Sequence, residues 1–270
     1  MLQKAMDLLY LQYYQCMEAV HDDEHFSFYA KEKIRHSLQV AGAGNYLVRH
    51  IEWLKNKSAE YIEMVRTAVL LHDVCRFSET AKLYRGEQEY DHGVAAYEFL
   101  HHTPLFDDIR IRLPIKHHGH LIEALYVDDE FQKLSESVRQ EVEKICFIVR
   151  DADKIANFKM VVNEPYFLPL FMGTERELTA EDLQISEHVW QNAFKINTVP
   201  KPFYTIGDRV ASLLSWYLDI NYQASIDFCA KLGVTDLVFA MFEKYCGDED
   251  FKQKYLAFVK EYMNSHKYLK

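Results

Sequence analysis

Apolar residues recur every three or four positions over most of this chain, which is the spacing of amphipathic helices. A polar break separates the first segments at His21 to His25, and we expect a polar loop at Ser78 to Tyr90. The first half of the pattern predicts helices over residues 2–20, 30–55, 58–73, 92–101, 106–118 and 134–157. The second half predicts helices over 180–194, 206–219, 221–231, 234–245 and 248–265.

Residues suited to helix ends flank three of these segments. Ser58 and Asp91 stand where a helix begins, and both side chains are good N-caps. Gly119 follows the segment 106–118, so we expect it to end that helix in the left-handed conformation. In the segment 30–55, apolar residues lie beside Leu38 on one face and beside His36 on another. We therefore expect this helix to be covered on two sides.

Composition favours a single all-helical domain. The chain has 270 residues, of which only nine are Gly and six are Pro, and this scarcity argues against a turn-rich β fold. Pro165, Pro169 and Gly173 mark a less regular stretch after Asn163. We therefore expect one all-α domain over residues 1–270, in which a helical extension at about 164–270 packs on the part that carries most of the histidines.

Charge and cysteine usage limit the class of partner. The net charge is −10 and no block of Lys or Arg occurs, so neither nucleic acid nor a membrane surface is expected as a partner. Five scattered cysteines without CxxC spacing indicate a reducing compartment. No signal peptide and no run of about 18 apolar residues is present, so a cytoplasmic protein is expected.

The segment AVLLHDVCRF, residues 68–77, places His72 and Asp73 at the end of an apolar helical run. Burying an unpartnered carboxylate costs several kcal/mol, and a divalent metal would offset that cost. The chain contains a second His-Asp pair, His21-Asp22, but its surroundings are polar, so we expect it at the surface. Context, more than the dipeptide itself, distinguishes the first pair.

Helical angles select one further carboxylate in the segment RDADKIAN. Asp153 falls at about 20° from Val142, within the apolar stripe of its helix, whereas Asp151 falls at about 180°. Asp153 is therefore expected to face the core and Asp151 to face away. His36 lies on an apolar face by the same test.

Together, His36, His72, Asp73 and Asp153 would supply two imidazoles and two carboxylates from three helices. This mixed set of nitrogen and oxygen donors suits Mn, Fe, Zn, Ni or Mg ions with positions left for water. Such an ion can make hydroxide available at neutral pH.

These motifs, from HSLQVAGAGNYL through AVLLHDVCRF, DHGVAAYEFL and IKHHGH to IVRDADKIANF, resemble the HD superfamily of metal-dependent phosphohydrolases. The resemblance covers about residues 30–160 and implies an HD-domain helical bundle. It gives His36, His72, Asp73 and Asp153 the positions of the family's metal ligands.

The resemblance also implies roles around these ligands. His92, His117 and His118 match positions that hold a second metal or contact the substrate phosphate, although either His117 or His118 could be the ligand. Arg76 and Lys154 would contact phosphate oxygens. The residues expected to act in catalysis are Asp73, His92, Arg76 and Lys154. The alternative role for Arg76 is an ion pair with Glu79. We expect His101, His102 and His120 at the protein surface.

The sequence departs from several subgroups of the family. Cys75 stands where the HDxGK pattern has Gly, and no Gly-Tyr-Pro follows His118, which argues against cyclic-di-GMP phosphodiesterases. Arg76 replaces the Glu of the deoxynucleoside monophosphatases. We expect a hydrolase of a small phosphorylated metabolite or nucleotide. The alternatives are a non-catalytic regulatory module that binds nucleotide or metal, and an HD-type di-iron oxygenase.

Overall fold

Side chains at the expected cap positions fix where two helices begin. The hydroxyl of Ser58 accepts a hydrogen bond of 3.2 Å from the amide of Tyr61. The carboxylate of Asp91 accepts two, from the amides of Gly93 at 2.9 Å and Val94 at 3.0 Å. Each cap satisfies amides that the first turn of a helix leaves without partners, and both predicted caps are confirmed.

The computed structural model describes residues 1–88, 90–163, 177–195, 198–199 and 201–270. The described residues form helices and no β-strand, which confirms the all-α class. They fall into two compact units, Met1–Ala156 and Asn157–Lys270. The expectation of a single domain over 1–270 stays a prediction, and the irregular stretch around Pro165, Pro169 and Gly173 lies outside the described residues.

The first unit contains the helices that carry the motifs. In chain order they are α1 (Leu2–Ala19), α2 (Glu24–His50), α3 (Ala59–Leu70), α4 (Arg76–Tyr84), α5 (His92–His101), α6 (Ile109–His117), α7 (Glu123–Tyr126), α8 (Asp129–Lys133) and α9 (Glu136–Asn163), with a short 3-10 helix at Glu52–Leu54 and the last turns of α9 in the second unit. No described helix is long and apolar enough to cross a membrane.

Close backbone approaches bring the helices of the first unit together at two glycines. A Cβ on Gly44 of α2 would lie 2.5 Å from a methyl group of Val69 in α3. A Cβ on Gly93 of α5 would lie 2.5 Å from the carbonyl oxygen of Lys116 in α6. Helices α5 to α9 share an apolar core that consists of Tyr97, Leu113, Leu125, Phe131, Val142 and Cys146. These contacts set the spacing of the helices that carry the histidines.

Two helix boundaries between residues 58 and 90 differ from the prediction. Helix α3 ends at Leu70 rather than at residue 73, so His72 lies in the turn that follows it. The predicted loop at 78–90 is wrong in its first half, where α4 runs to Tyr84. Phe77 and Ala81 of α4 are buried one turn apart, and this pair anchors a helix whose polar composition conceals its apolar face.

Two further expectations concern helix surfaces and ends, and the second, a left-handed Gly119, is wrong. Leu38 is exposed whereas Ile34, one turn earlier on the same face of α2, is buried, so that face is partly covered. Gly119 does not adopt a positive φ; among the described residues only Gly86 and Gly233 do. The carbonyl groups at the end of α6 accept hydrogen bonds from the guanidinium of Arg150 instead, so this helix end needs no left-handed residue.

The second unit has helices α10 (Glu187–Asn192), α11 (Ile206–Ser215), α12 (Gln223–Lys231), α13 (Val234–Tyr245) and α14 (Glu249–Ser265), with 3-10 helices at Glu181–Leu183 and Trp216–Asp219. The helix expected over 180–194 is interrupted. The carbonyl of Gln184 accepts from the hydroxyl of Thr205 at 2.7 Å, and the amide of Ser186 donates to Asp208 at 2.9 Å. These bonds replace the hydrogen bonds that a continuous helix would form at Gln184 and Ser186. Tyr217 and Tyr222 are fully buried in this unit.

Candidate metal centre

Three side chains from two parts of the first unit form a buried group. His36 comes from the middle of α2, and His72 and Asp73 come from the turn after α3. One potential ligand atom from each of the three lies within 4.8 Å of the others. Asp153 of α9 adjoins this group, with its Oδ1 at 2.9 Å from Nε2 of His36 and 3.8 Å from Nε2 of His72. The four residues predicted as primary ligands are therefore together, and their role as ligands stays a prediction.

A second group shares Asp73 with the first. It consists of Asp73, His92 at the start of α5, and His118 after the end of α6. Nε2 of His92 lies 3.1 Å from Oδ1 of Asp73, and Nε2 of His118 lies 3.5 Å from the same oxygen. The two imidazole nitrogens are 3.3 Å apart. Because one carboxylate belongs to both groups, the arrangement suits two cations bridged by Asp73.

Backbone carbonyl groups orient two of the imidazoles. Nδ1 of His72 lies 3.0 Å from the carbonyl oxygen of Val69, and Nδ1 of His118 lies 2.7 Å from that of Ile115. A carbonyl oxygen only accepts, so Nδ1 of each ring donates and Nε2 carries the lone pair. Nε2 of His72 is buried and has no hydrogen-bond partner. A metal ligand needs a buried nitrogen whose lone pair is not used in a hydrogen bond, and Nε2 of His72 is such a nitrogen. The residues of the group therefore fit a divalent cation.

Burial also fixes the charge state that a ligand needs. It lowers the pKa of His72 to about 4, although the neighbouring carboxylates oppose the shift. Burial alone would raise the pKa of Asp73, but the neighbouring His72, His118 and His92 outweigh it and hold that pKa well below its usual range. At neutral pH the group therefore presents a neutral imidazole and an ionised carboxylate, which are the forms that bind metal ions.

The angle argument succeeds for one aspartate of α9 and fails for the other. Asp153 reaches the first group, and its pKa stays low because the hydrogen bond and charge of His36 outweigh the effect of burial, which acts in the opposite direction. Asp151 is fully buried, so the expectation that it faces away from the interior is wrong. Five consecutive residues, 148–152, are buried here, and an angle cannot distinguish inside from outside on a helix that is covered all round.

His117 does not join either group. Its Nε2 lies 2.8 Å from Oδ2 of Asp128, which also accepts from Lys116 at 2.6 Å. Burial lowers the pKa of His117, while its bond to Asp128 opposes that shift. Of the two histidines that the sequence left open, the geometry favours His118 as a ligand. A metal-binding role for His117 stays a prediction that these contacts do not support.

Two cationic side chains lie beside Asp73, and only one was expected. Arg76 pairs with Glu79 at 2.7 Å, which is the ion pair considered as its alternative role, and its Nε is 3.7 Å from Asp73. Nζ of Lys33 is 3.9 Å from the other oxygen of Asp73. The signal for Lys33 was its position one helical turn before His36. Lys154 is half-buried next to Asp153, and its contact with phosphate stays a prediction.

The other histidines lie away from both groups. His101 and His102 are exposed, as expected. His120 is half-buried and its Nε2 lies 2.7 Å from the carboxylate of Asp91. Arg150, buried in α9, was not singled out by the sequence because nothing in its spacing shows that it reaches the end of α6.

Comparison with known proteins gives one match. A family model described as "HD domain" matches residues 34–157, the segment that contains all members of both groups. No curated protein and no solved structure matches the chain.

Proposed function

Residues 34–157 form an HD domain, and from that membership we propose that the protein is a phosphohydrolase that uses a divalent metal to hydrolyse a small phosphorylated metabolite or a nucleotide. HD domains bind divalent metals, and most of the superfamily are metal-dependent hydrolases. The proposal adds the reaction and the substrate class to this family-level statement.

The observation that carries the proposal is the sharing of Asp73 between two His/Asp groups. Each group offers nitrogen and oxygen donors, and Nε2 of His72 points into the first group without a hydrogen-bond partner. His36, His72, Asp73, His92 and His118 would hold the ions, which would supply the Lewis acidity for a displacement at phosphorus.

The surrounding side chains would bind and orient the phosphate. Arg76 and Lys33 are each about one-fifth exposed, with their charged ends near Asp73. Such cations stabilise the negative charge that accumulates on phosphate oxygens during the reaction. We assign the same function to Lys154, which follows Asp153 on α9. The side chain of His92 is 14% exposed and therefore accessible to substrate. It would hold the second ion or, if only one ion binds, donate a proton to the leaving oxygen.

Charge limits the size of the substrate. A net charge of −10 opposes the approach of long nucleic acids, whose binding depends on neutralising many phosphates with Lys and Arg. A single phosphoryl group needs only the few cations beside Asp73. Small phosphoesters and nucleotides are therefore the proposed substrates.

A second candidate function follows from the same observation. A shared carboxylate with histidine ligands on both sides also suits a pair of irons that activates O₂, so an HD-type oxygenase is the alternative. A regulatory module without catalysis is less well supported, because both groups retain their full set of donors.

The experiment is a phosphate-release screen over nucleotides and phosphoesters, with the protein loaded in turn with Mn, Fe, Zn, Ni or Mg. The variant His72→Ala is expected to lose activity and bound metal. His21→Ala is the matched control because it changes the His-Asp pair at the surface, where His21 is exposed. Optical bands of an iron pair without phosphate release would support the oxygenase instead. Full activity in His72→Ala would contradict the metal centre.

A further inference from the structure

The turn after α6, residues 117–120, contains the candidate ligand His118. Hydrogen bonds to two other helices, α9 and α5, hold this turn in place. On the first side, the guanidinium of Arg150 donates from Nη1 to the carbonyl oxygens of His117 and His118, each at 3.3 Å, and to that of His120. Arg150 is only 2% exposed. A buried cation requires such acceptors, and the carbonyl-rich C-terminal end of a helix provides them together with a favourable dipole.

Arg150 also lies one turn before Asp153 on α9, so the two side chains leave the helix on neighbouring faces. One residue of α9 thus adjoins the first group while another holds the backbone that carries His118. Because Nδ1 of His118 is bonded to the carbonyl of Ile115, the ring follows the end of α6 wherever that end is held. The position of His118 relative to Asp153 therefore depends on Arg150.

On the second side, the turn is tied to the start of α5. Nε2 of His120 lies 2.7 Å from Oδ2 of Asp91, and Oδ1 of Asp91 caps α5 through the amides of Gly93 and Val94. His92 directly follows this cap. The bond between His120 and Asp91 therefore links the backbone that carries His118 to the backbone that carries His92.

We propose that Arg150 and His120 are positioning residues for the second ion: they hold the turn 117–120 so that His118 meets His92 and Asp73 at the spacing of one metal ion. This inference rests on the proposed function, because it presupposes that the two groups bind metal. It assigns no contact between substrate and either residue.

The energetic reason is the short range of coordination. Ligand atoms must lie about 2.0–2.2 Å from the ion, and displacements of a few tenths of an ångström weaken the site. Loss of residues that orient metal ligands typically lowers metal affinity about 10- to 100-fold. The first group, which consists of His36, His72 and Asp73, makes no contact with the turn through either positioning residue in the bonds described above, so its affinity is expected to remain.

The test is a titration of the whole protein with Mn²⁺, in which the number of ions and the dissociation constant of each are measured after removal of bound metal. The variants are Arg150→Gln, Arg150→Lys and His120→Ala. Arg139→Gln is the control on the same helix, because Arg139 pairs with Glu136 at the protein surface. Circular dichroism and thermal unfolding establish that each variant is folded.

The expected result is a second ion that binds at least about tenfold more weakly in Arg150→Gln and His120→Ala, with the first ion within twofold of wild type. Arg150→Lys keeps the positive charge, but its shorter side chain does not place a nitrogen at the position of Nη1, so an intermediate loss is expected. His120 is half-buried, so His120→Ala decides the matter if Arg150→Gln does not fold.

Three results would overturn the inference. In the first, both ions weaken equally, as a general loss of structure would cause. In the second, the folded variants bind both ions as wild type does. In the third, wild type binds only one Mn²⁺. If wild type binds two ions with the expected split among variants but releases phosphate from no substrate, the proposed function fails while the positioning role stands.

Discussion

Oδ1 of Asp73, in the turn after α3, lies 3.1 Å from Nε2 of His92 at the start of α5. The same carboxylate adjoins His72 and His36 on its other side. Asp73 is therefore the only residue common to the two candidate groups among the described residues. Its removal should affect both ions, whereas removal of His92 should affect one.

We expect Asp73→Asn to bind no Mn²⁺ at concentrations that saturate wild type, since the amide retains the shape but loses the charge that bridges the ions. His92→Ala should retain one ion per chain. Equilibrium dialysis followed by elemental analysis measures both. Asp22→Asn, in the exposed His-Asp pair, is the control and should bind as wild type does. An Asp73→Asn protein with one tightly held ion would rule out a shared ligand.

Gly93 tests whether the approach of α5 to α6 matters for stability. A Cβ at this position would lie 2.5 Å from the carbonyl of Lys116 and 3.2 Å from Oδ1 of Asp91. Because backbone cannot yield as a side chain does, Gly93→Ala should lower the free energy of unfolding by about 1–3 kcal/mol. Urea unfolding of the metal-free protein measures this change.

Gly42→Ala provides the matched control for that substitution. Gly42 is an exposed residue of α2, and a Cβ there would meet nothing within 4 Å. Alanine has the higher helix propensity, so this variant should be more stable by up to about 1 kcal/mol. Equal effects of the two substitutions would show that the close approach at Gly93 carries no strain.

The ion pair between Arg76 and Glu79 gives a third prediction. Glu79 is buried, and its Oε2 accepts from Arg76 at 2.7 Å. Glu79→Gln should lower the free energy of unfolding by about 2 kcal/mol, because it weakens a charge-assisted bond in a buried setting. It should also free the guanidinium to turn, which would raise the KM for a phosphorylated substrate more than it lowers kcat.

Thermal and chemical unfolding measure the first effect of Glu79→Gln, and steady-state kinetics measure the second. Glu87→Gln is the control, since Glu87 pairs with Arg85 at an exposed site and such pairs contribute little. If Glu79→Gln leaves both stability and KM unchanged, Arg76 does not depend on Glu79 for its position.

Asp128 should make the stability depend on pH in the acid range. Burial would raise its pKa, but hydrogen bonds from Lys116 and His117 outweigh burial and lower the pKa from 3.8 to about 2. A lowered pKa in the folded state stabilises the protein above the ordinary value and loses this contribution as the pH falls towards 2. The advantage of wild type over Asp128→Asn should therefore shrink between pH 4 and pH 2.

Urea unfolding of the metal-free protein at pH 6, 4, 3 and 2.5 measures the difference at each pH. Asp129→Asn, in the exposed neighbouring residue, controls for the loss of one negative charge. A difference between wild type and Asp128→Asn that stays constant over this range would contradict the lowered pKa.

The burial and grouping of the candidate ligands could be predicted from the sequence because their surroundings are local. The apolar residues before His72 and around His36 lie on the same helices as the histidines, so periodicity alone indicates burial. Asp153 followed from its angle to Val142 for the same reason. The family model, which matches residues 34–157, agrees with the segment of about 30–160 on which the resemblance rested.

What the sequence missed depends on contacts between distant residues. Arg150 reaches carbonyls that lie 30 or more positions earlier, and no periodicity records such a contact. Asp151 is buried because α9 is covered all round at residues 148–152, and a helical angle identifies a buried side chain only where one face is covered. Helix α4 escaped notice because only Phe77 and Ala81 anchor it, too few residues to stand out from a polar stretch.

The end of α3 at Leu70 has a consequence for the tautomer of His72. If the helix continued for one more turn, the carbonyl of Val69 would accept the amide of Asp73, whereas it now lies 3.0 Å from Nδ1 of His72. The length of α3 therefore determines which ring nitrogen is available to a metal, and Ile115 serves His118 in the same way after α6. Insertion of a single residue at either helix end would alter the metal chemistry without replacing any ligand.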